Sequence, residues 1–201
     1  MLHTGLPLLL ARLLRCRTAG VSVLLALSAS PHAGDSSPAA FAENEVKAAF
    51  VYNFAHFVRW PDGHTLRAGD AFRYCVFDET LAPLLAKAVA GETLDGHPLI
   101  VQRQPDMRNL QECHLIYFGE QSAIGPAFQA ELLRRLAGSA ILTVSDQPGF
   151  AARGGMITLT RKRGRIHPVI NTDAIERADL RVSAKLLNLA TLTHDGKGGT
   201  Q

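Results

Sequence analysis

The sequence predicts an α/β domain with a largely parallel central sheet flanked by helices and an antiparallel C-terminal hairpin. Between residues 43 and 144, segments with helical apolar periodicity alternate with short apolar segments of β-favouring residues, an order typical of parallel sheets. Gly164 separates two later strand-like segments, which favours a hairpin turn. About 160 residues remain after the predicted export signal, which is enough for one domain with a substantial core.

The alternating part begins with a helix predicted at residues 43–60, where apolar residues recur at three- and four-residue steps and share one face. Pro61 ends this helix, and a turn follows it. Further helices are predicted at residues 80–90 and 126–137, and strands at residues 71–77, 98–102, 114–118 and 139–144.

The C-terminal third changes pattern, with two strands predicted at residues 155–160 and 166–170. Because Pro168 lacks a backbone N–H, the second strand is expected at a sheet edge or with a local bulge. Helices are predicted at residues 173–178 and 183–192. We therefore expect one domain over residues 43–192 and a polar, disordered tail over residues 193–201.

The N-terminal segment has the features of a secretory signal peptide. Three arginines precede an uncharged apolar run at residues 21–29, which is well short of the roughly 20 apolar residues that a membrane-spanning helix needs. A retained N-terminal anchor is the alternative. Cleavage after Ala33 and cleavage after Ala42 both fit the sequence. Residues 1–42 are thus expected to form a signal peptide and a short disordered spacer, and the cleaved product is not expected to span a membrane.

Charge and cysteine content narrow the class of protein. The formal net charge of +3 depends largely on the arginines of the signal, so the mature chain is nearly neutral, which argues against a nucleic-acid binder. Cys75 and Cys113 remain after cleavage and are expected to pair in an oxidising compartment, with two buried free thiols as the alternative. A bridge between them would stabilise the fold by about 3–4 kcal/mol in the chain-entropy model.

A search for catalytic motifs predicts neither an enzyme nor a metal or cofactor site. The sequence lacks a nucleophile elbow, a phosphate loop and a zinc-protease helix, and its histidines have no metal-ligand spacing. Ser145 and Asp146 end a predicted strand, a position where α/β proteins often place functional groups; a side-chain-capped turn is the alternative. Arg153 and the two glycines after it fit an anion-binding loop and equally a plain loop entering a strand.

Two further features suggest a contact surface. Trp60 closes the first predicted helix, where it either packs in the core or is exposed, and tryptophan is enriched among interface hot spots. The basic residues of segment 161–165 fit a solvated hairpin tip or a surface for an acidic partner.

Three ordered motifs resemble the YfiR-like family of exported bacterial proteins. They lie at residues 46–61 (VKAAFVYNFAHFVRWP), 142–157 (LTVSDQPGFAARGGMI) and 170–187 (INTDAIERADLRVSAKLL), and the similarity spans about residues 45–189. The resemblance implies a non-catalytic periplasmic repressor that binds the periplasmic sensor domain of a membrane diguanylate cyclase and forms a homodimer. The Cys75–Cys113 pair matches one family disulfide, and this chain lacks the cysteines for the second disulfide that some members carry.

Two functions follow from these observations. The first is repression of cyclic di-GMP synthesis through the cyclase sensor domain. The second is a periplasmic small-molecule binding module for an uptake or two-component system, with Ser145, Asp146, Arg153 and Asn171 around a pocket. Over both functions, the candidate partner or ligand-binding residues are Trp60, Ser145, Asp146, Arg153, Asn171 and Arg181.

Overall fold

A computed structural model describes residues 38–61, 66–67, 69–105, 107–120, 122 and 124–195. The apolar run of the expected signal peptide and the position of Ala33 lie outside these residues. The helices are α1 Pro38–Phe57, α2 Leu81–Val89, α3 Pro126–Leu136, α4 Thr172–Arg177 and α5 Ala184–Leu187. The strands are β1 Val58–Arg59, β2 Phe72–Phe77, β3 Thr93–Leu94, β4 His97–Arg103, β5 Leu115–Phe118, β6 Leu142–Ser145, β7 Ile157–Lys162, β8 Arg165–Asn171, β9 Arg181–Val182 and β10 Thr191–Thr193.

The main sheet has eight strands in the order β10-β8-β7-β6-β5-β2-β4-β3. Strands β4, β2, β5, β6 and β7 run parallel to one another, whereas β3 pairs antiparallel with β4, and β7 and β8 form an antiparallel hairpin. The predicted fold class, a largely parallel sheet with a C-terminal hairpin, is therefore confirmed.

Helices cover both faces of this sheet because its central strands are apolar on both sides. In β5, Leu115 and Tyr117 pack in one layer with α1 and α2, and Ile116 and Phe118 pack in the opposite layer with α3. The alternation follows from the two-residue period of a strand. In the described part of the chain, no helix is both long and apolar enough to cross a membrane.

Helix α1 differs from its prediction at both ends. It begins at Pro38, inside the segment expected to be a disordered spacer, because proline fits the first turn of a helix and alanine favours its continuation. It ends at Phe57, before Trp60, because the chain turns into strand β1. Val58 and Arg59 pair with Val182 and Arg181 in a separate antiparallel ribbon that the sequence analysis did not predict.

The C-terminal region also corrects two expectations. The helix predicted to reach residue 192 ends at Leu187, and the β-favouring threonines that follow form β10. The predicted disordered tail starts too early, because Thr193 belongs to β10 and His194 Nδ1 lies 2.7 Å from Asp173 Oδ1.

Strand β8 is not the edge strand that Pro168 suggested, because β10 pairs with it on the outer side. That pairing covers only Val169, Ile170 and Asn171. Pro168 therefore lies just outside the β10 register, where its missing N–H interrupts no bond to β10.

Candidate functional site

Ser145, at the end of β6, forms the side-chain-capped turn that was the alternative interpretation. Its Oγ donates a hydrogen bond to the Phe118 carbonyl over 2.6 Å and accepts one from the Gln147 N–H over 3.0 Å. The residue is 0% exposed. Its hydroxyl joins the ends of the neighbouring strands β5 and β6. Because the residue is buried, its side chain does not form part of the surface that another molecule could contact.

Asp146 binds helix α1 to the carboxyl edge of the sheet. Its Oδ2 lies 2.9 Å from Lys47 Nζ, and its Oδ1 accepts a hydrogen bond of 2.7 Å from the Glu120 N–H. Lys47 also pairs with Glu43 at 3.0 Å, and Glu43 with Arg161 at 3.1 Å. These ion pairs connect α1 with two strands, so Asp146 serves as an anchor for the helix.

Burial would by itself lower the pKa of Lys47, because the charged ammonium loses water. The hydrogen bonds from Lys47 to Asp146 and Glu43 outweigh that loss, and the pKa is raised above its ordinary value. The ammonium is therefore charged at neutral pH, and it is the counter-ion of the largely buried Asp146 carboxylate.

Asp78 adds a second buried carboxylate to this edge of the sheet. Its Oδ1 accepts hydrogen bonds from the N–H groups of Thr80, at 2.9 Å, and Leu81, at 2.7 Å, and so caps the start of α2. Burial raises its pKa, the two backbone hydrogen bonds oppose this, and the nearby Asp146 charge raises the pKa further. A Cβ added to Gly119 would collide with the Asp78 carboxylate, so a larger residue at this position requires that carboxylate to move.

Tyr117 completes this group, which we call the carboxyl-edge cluster: Lys47, Asp78, Tyr117 and Asp146. Tyr117 is 0% exposed, and burial, followed by the charges of Asp146 and Asp78, raises the pKa of its hydroxyl. The cluster is largely buried, which suits a structural role better than chemistry on a ligand. In the described residues, no group of three or more histidine, cysteine or acidic side chains is placed to hold a metal ion.

Asn171 is also fully buried, and both its side-chain oxygen and its side-chain nitrogen form hydrogen bonds within the protein. Its Oδ1 accepts a hydrogen bond from the Ala174 N–H at 3.1 Å and thereby caps α4. Its Nδ2 donates to the Ala151 carbonyl at 2.7 Å and to Asp195 Oδ1 at 2.8 Å. The side chain thus joins α4, the turn before β7 and the chain after β10.

Arg153 is exposed and lies on a short turn between β6 and β7. Its Nη1 donates to the Pro148 carbonyl at 2.7 Å. Gly154 follows with a φ of 94°, which a glycine adopts without strain. The guanidinium closes its own loop, and Arg153 lies in neither of the two hollows that involve Trp60.

Trp60 and Arg181 are the two candidate residues that the fold brings together on the surface. They line one hollow with Arg59, Pro61 and Asp179. The Trp60 ring packs edge-on against Phe72, with centroids 5.1 Å apart. Its buried Nε1–H has no hydrogen-bond partner within the described structure. Leaving a buried donor unpaired costs about 1–3 kcal/mol.

The two cysteines that were expected to pair form a disulfide. Cys75 lies in β2 and Cys113 just before β5, and their Cα atoms are 5.8 Å apart. Both are buried in the layer of α3, at 0% and 3% exposure. The bridge therefore links two neighbouring parallel strands inside the core.

A family model described as YfiR/HmsC-like matches residues 44–191. The chain belongs to this family. A solved structure of a conserved domain protein from Vibrio cholerae O1 biovar El Tor is also similar, with a TM-score of 0.48 and 13% sequence identity. That match covers 75% of this chain and 60% of the Vibrio chain, so this chain spans less than two thirds of that protein.

The family match covers the carboxyl-edge cluster as well as Trp60 and Arg181. The family is a regulatory, non-catalytic one.

The sequence analysis did not select Lys47 and Asp78, although each has a sequence feature that could have pointed to it. Lys47 is a charge within an apolar helical motif, and Asp78 follows a buried strand directly, as Asp146 does.

Proposed function

We propose that this protein is a periplasmic regulator that binds the sensor region of a membrane-anchored diguanylate cyclase and represses cyclic di-GMP synthesis. The family match over residues 44–191 is the observation that carries the proposal. Repression is a population shift, in which the protein binds the inactive state of the cyclase more tightly than the active state. A tenfold preference corresponds to about 1.4 kcal/mol.

The surface that we assign to the partner is the corner around Trp60 and Arg181. Tryptophan and arginine are the residue types that most often dominate binding energy at interfaces. Ser145, Asp146 and Asn171 are not proposed as partner contacts, because their polar groups already bind other parts of the protein. We propose that they hold the helices and strands in place. Arg153 lies outside the corner and is proposed only as a peripheral contact.

Export is part of the proposal. Cleavage after Ala33 would leave α1 whole, whereas cleavage after Ala42 would remove its beginning, since α1 starts at Pro38. We therefore favour Ala33. N-terminal sequencing of the exported protein distinguishes the two sites, and recovery of the uncleaved chain in the membrane fraction would instead indicate a retained anchor.

The decisive experiment deletes the gene and measures cyclic di-GMP in cells that contain the cyclase. Repression predicts a rise, and complementation with the wild-type gene restores the lower level. Trp60→Ala and Arg181→Gln should fail to complement, whereas Arg135→Gln, an exposed arginine on α3, should complement fully. An unchanged cyclic di-GMP level after deletion would sink the proposal.

Direct binding provides a second readout. The purified protein and the isolated sensor region of the cyclase should associate in a pull-down and in titration calorimetry, and sedimentation would show whether the binding form is the expected homodimer.

The small-molecule module is the second candidate function, and the hollow beside Trp60 is the observation that favours it.

A further inference from the structure

The hairpin of β7 and β8 extends beyond the neighbouring strand β6. Strand β7 pairs with β6 at Ile157 and Thr158, whereas its pairing with β8 continues as far as Lys162. Among the described strands, residues 159–162 therefore pair with β8 alone. A strand rises about 3.3 Å per residue, so the hairpin tip projects by about 13 Å past the end of β6.

The projecting tip is strongly basic. It has four exposed cations within five positions, namely Arg161, Lys162, Arg163 and Arg165. Lys162 and Arg165 lie directly opposite each other across the hairpin, and like charges in that position repel. Arg161 pairs with Glu43, but neither Arg163 nor Arg165 forms an ion pair between described residues. The tip therefore favours an anionic partner.

Helix α1 begins at the same end of the sheet as this tip and runs towards the opposite end. Near its start, Lys47 contacts Asp146, which directly follows β6. Just after its end, Trp60 packs against Phe72, the first residue of β2. Because β2, β5 and β6 run in the same direction, the corner of Trp60 and Arg181 lies at the opposite end from the hairpin tip.

An exposed aromatic side chain accompanies the basic tip. Glu43 in the early part of α1 binds Arg161 of the tip at 3.1 Å. Phe41 lies within one helical turn of Glu43 and is 48% exposed. Side chains of a helix tilt towards its N-terminus, so Phe41 leans towards the end from which the tip projects. Basic residues beside an exposed aromatic are typical of surfaces that lie in a membrane interface.

We propose that the hairpin tip and the first turns of α1 bind a membrane surface that carries anionic phospholipids. Lipid phosphates compensate the cations of the tip, and Phe41 enters the boundary between headgroups and acyl chains. Each basic residue near an anionic surface strengthens binding about fivefold. The corner of Trp60 and Arg181 then faces away from the lipid. The inference does not rest on the repressor function, since lipid binding is measured on the isolated protein.

Vesicle sedimentation tests the proposal on the purified exported protein. At about 0.01 M salt it should bind vesicles of equimolar phosphatidylglycerol and phosphatidylcholine at least about tenfold more tightly than pure phosphatidylcholine vesicles. Raising the salt to about 0.15 M shortens the Debye length from about 30 Å to about 8 Å and should weaken this binding. Equal binding to both kinds of vesicle, or no binding to the anionic vesicles at low salt, would overturn the proposal.

Paired variants with the same loss of charge test the tip. Arg163→Gln with Arg165→Gln should weaken binding to the anionic vesicles roughly 25-fold. Lys87→Gln with Arg135→Gln removes two cations from exposed positions on α2 and α3 and should change binding by less than about twofold. Wild-type affinity in the tip variant would refute the assignment, as would an equal loss in the two double variants.

Phe41 distinguishes a lipid surface from an acidic protein surface. Phe41→Ala should weaken vesicle binding by at least about threefold at both salt concentrations, because salt does not screen the burial of an apolar ring. Unchanged vesicle binding in Phe41→Ala would contradict insertion into the lipid and would assign the basic tip to an acidic protein instead.

Arg181→Gln separates this inference from the proposed function. This variant should lose the cyclase sensor region and keep wild-type vesicle binding, because it lies at the opposite end of the sheet. A loss of vesicle binding as large as in the tip variant would refute the assignment of the lipid surface to the hairpin. Vesicle binding by a protein that never binds a cyclase would leave the lipid surface standing and refute the repressor function.

Discussion

Lys47 and Asp146 are 99 residues apart in the chain, and their side chains form an ion pair with a distance of 2.9 Å. The side chains are 11% and 8% exposed, so both charges have lost most of their water. A pair of this kind contributes little net energy compared with an apolar contact, but each partner depends strongly on the other. The Lys47–Asp146 ion pair therefore fixes the position of α1 on the sheet.

We predict that Lys47→Ala lowers the free energy of unfolding by about 3–5 kcal/mol, because Asp146 then remains buried without its counter-ion. Lys87→Ala, on an exposed position of α2, is the matched control and should change stability by less than about 0.5 kcal/mol. Urea unfolding followed by circular dichroism measures both. Equal stabilities of the two variants would contradict the anchoring role.

The same ion pair predicts a loss of stability in alkali. The pKa of Lys47 is raised above the ordinary 10.5, so the folded state holds its proton more tightly than the unfolded state does. The stabilisation is complete below pH 10.5 and is lost as the pH rises through the folded-state pKa. The Lys47→Ala variant should lack this alkaline component when unfolding is measured across that range.

Asp78 predicts the opposite dependence on the acid side. Burial raises its pKa above the ordinary 3.8, so the ionised carboxylate costs stability at neutral pH, and this cost disappears as the pH falls through the folded-state pKa. Asp78→Asn keeps the Oδ1 acceptor for Thr80 and Leu81 and removes the charge. On acidification the wild type should therefore gain stability relative to Asp78→Asn. A constant difference between pH 7 and about pH 4 would show that the carboxylate titrates normally.

Gly119 predicts a steric effect at the same edge of the sheet. A Cβ at this position would meet Asp78 Oδ2 at 1.7 Å and Cγ at 2.4 Å. Gly119→Ala should destabilise the protein by about 1–3 kcal/mol, because the buried carboxylate must move from its hydrogen bonds with α2. Gly125→Ala is the matched control, since an added Cβ there meets nothing within 4 Å. Thermal melts of the two variants should differ clearly, and similar melting temperatures would show that Asp78 moves aside freely.

The fold class could be predicted because apolar periodicity records which faces are buried. In β5 every residue is buried, and the sequence of that segment is apolar throughout. The ribbon of β1 and β9 could not be predicted, because two residues per strand carry no periodicity and the pairing is decided by tertiary contacts. The end of α1 was missed for the same reason, since Val58 fits the helical pattern and is equally buried in a strand.

The sequence analysis selected several residues of the candidate site, but it did not predict which of them contact one another. Ser145 and Asp146 were correctly expected at a strand end, but sequence alone does not show that Lys47 reaches across to satisfy Asp146. Arg59 was not selected at all, because an exposed arginine is ordinary until its opposite residue is known to be Arg181. Contacts between distant segments thus limited the prediction.

The Cys75–Cys113 disulfide predicts stability that depends on oxidation. Replacing both cysteines with alanine should lower the free energy of unfolding by about 2–5 kcal/mol, mostly because the unfolded chain without the bridge has more conformational entropy. Alkylation of the unfolded but unreduced protein, followed by mass spectrometry, checks the bond itself, because unfolding exposes thiols that are buried in the native state. Cys75 and Cys113 should take up no label, and labelling of both thiols without a reductant would refute the bridge.

The pairing of Arg59 with Arg181 across the ribbon of β1 and β9 predicts a variant that is more stable than the wild type. Arg181→Gln removes the repulsion across the ribbon and should raise the free energy of unfolding by about 0.2–1 kcal/mol at low ionic strength. Added salt screens the repulsion, so the advantage should shrink as the Debye length falls from about 30 Å at 0.01 M to about 8 Å at 0.15 M salt. Arg135→Gln, with no opposing arginine across a strand pair, should show neither effect. An Arg181→Gln variant less stable than the wild type at every salt concentration would mean that Arg181 packs favourably on the ribbon, and that repulsion from Arg59 does not dominate its effect on stability.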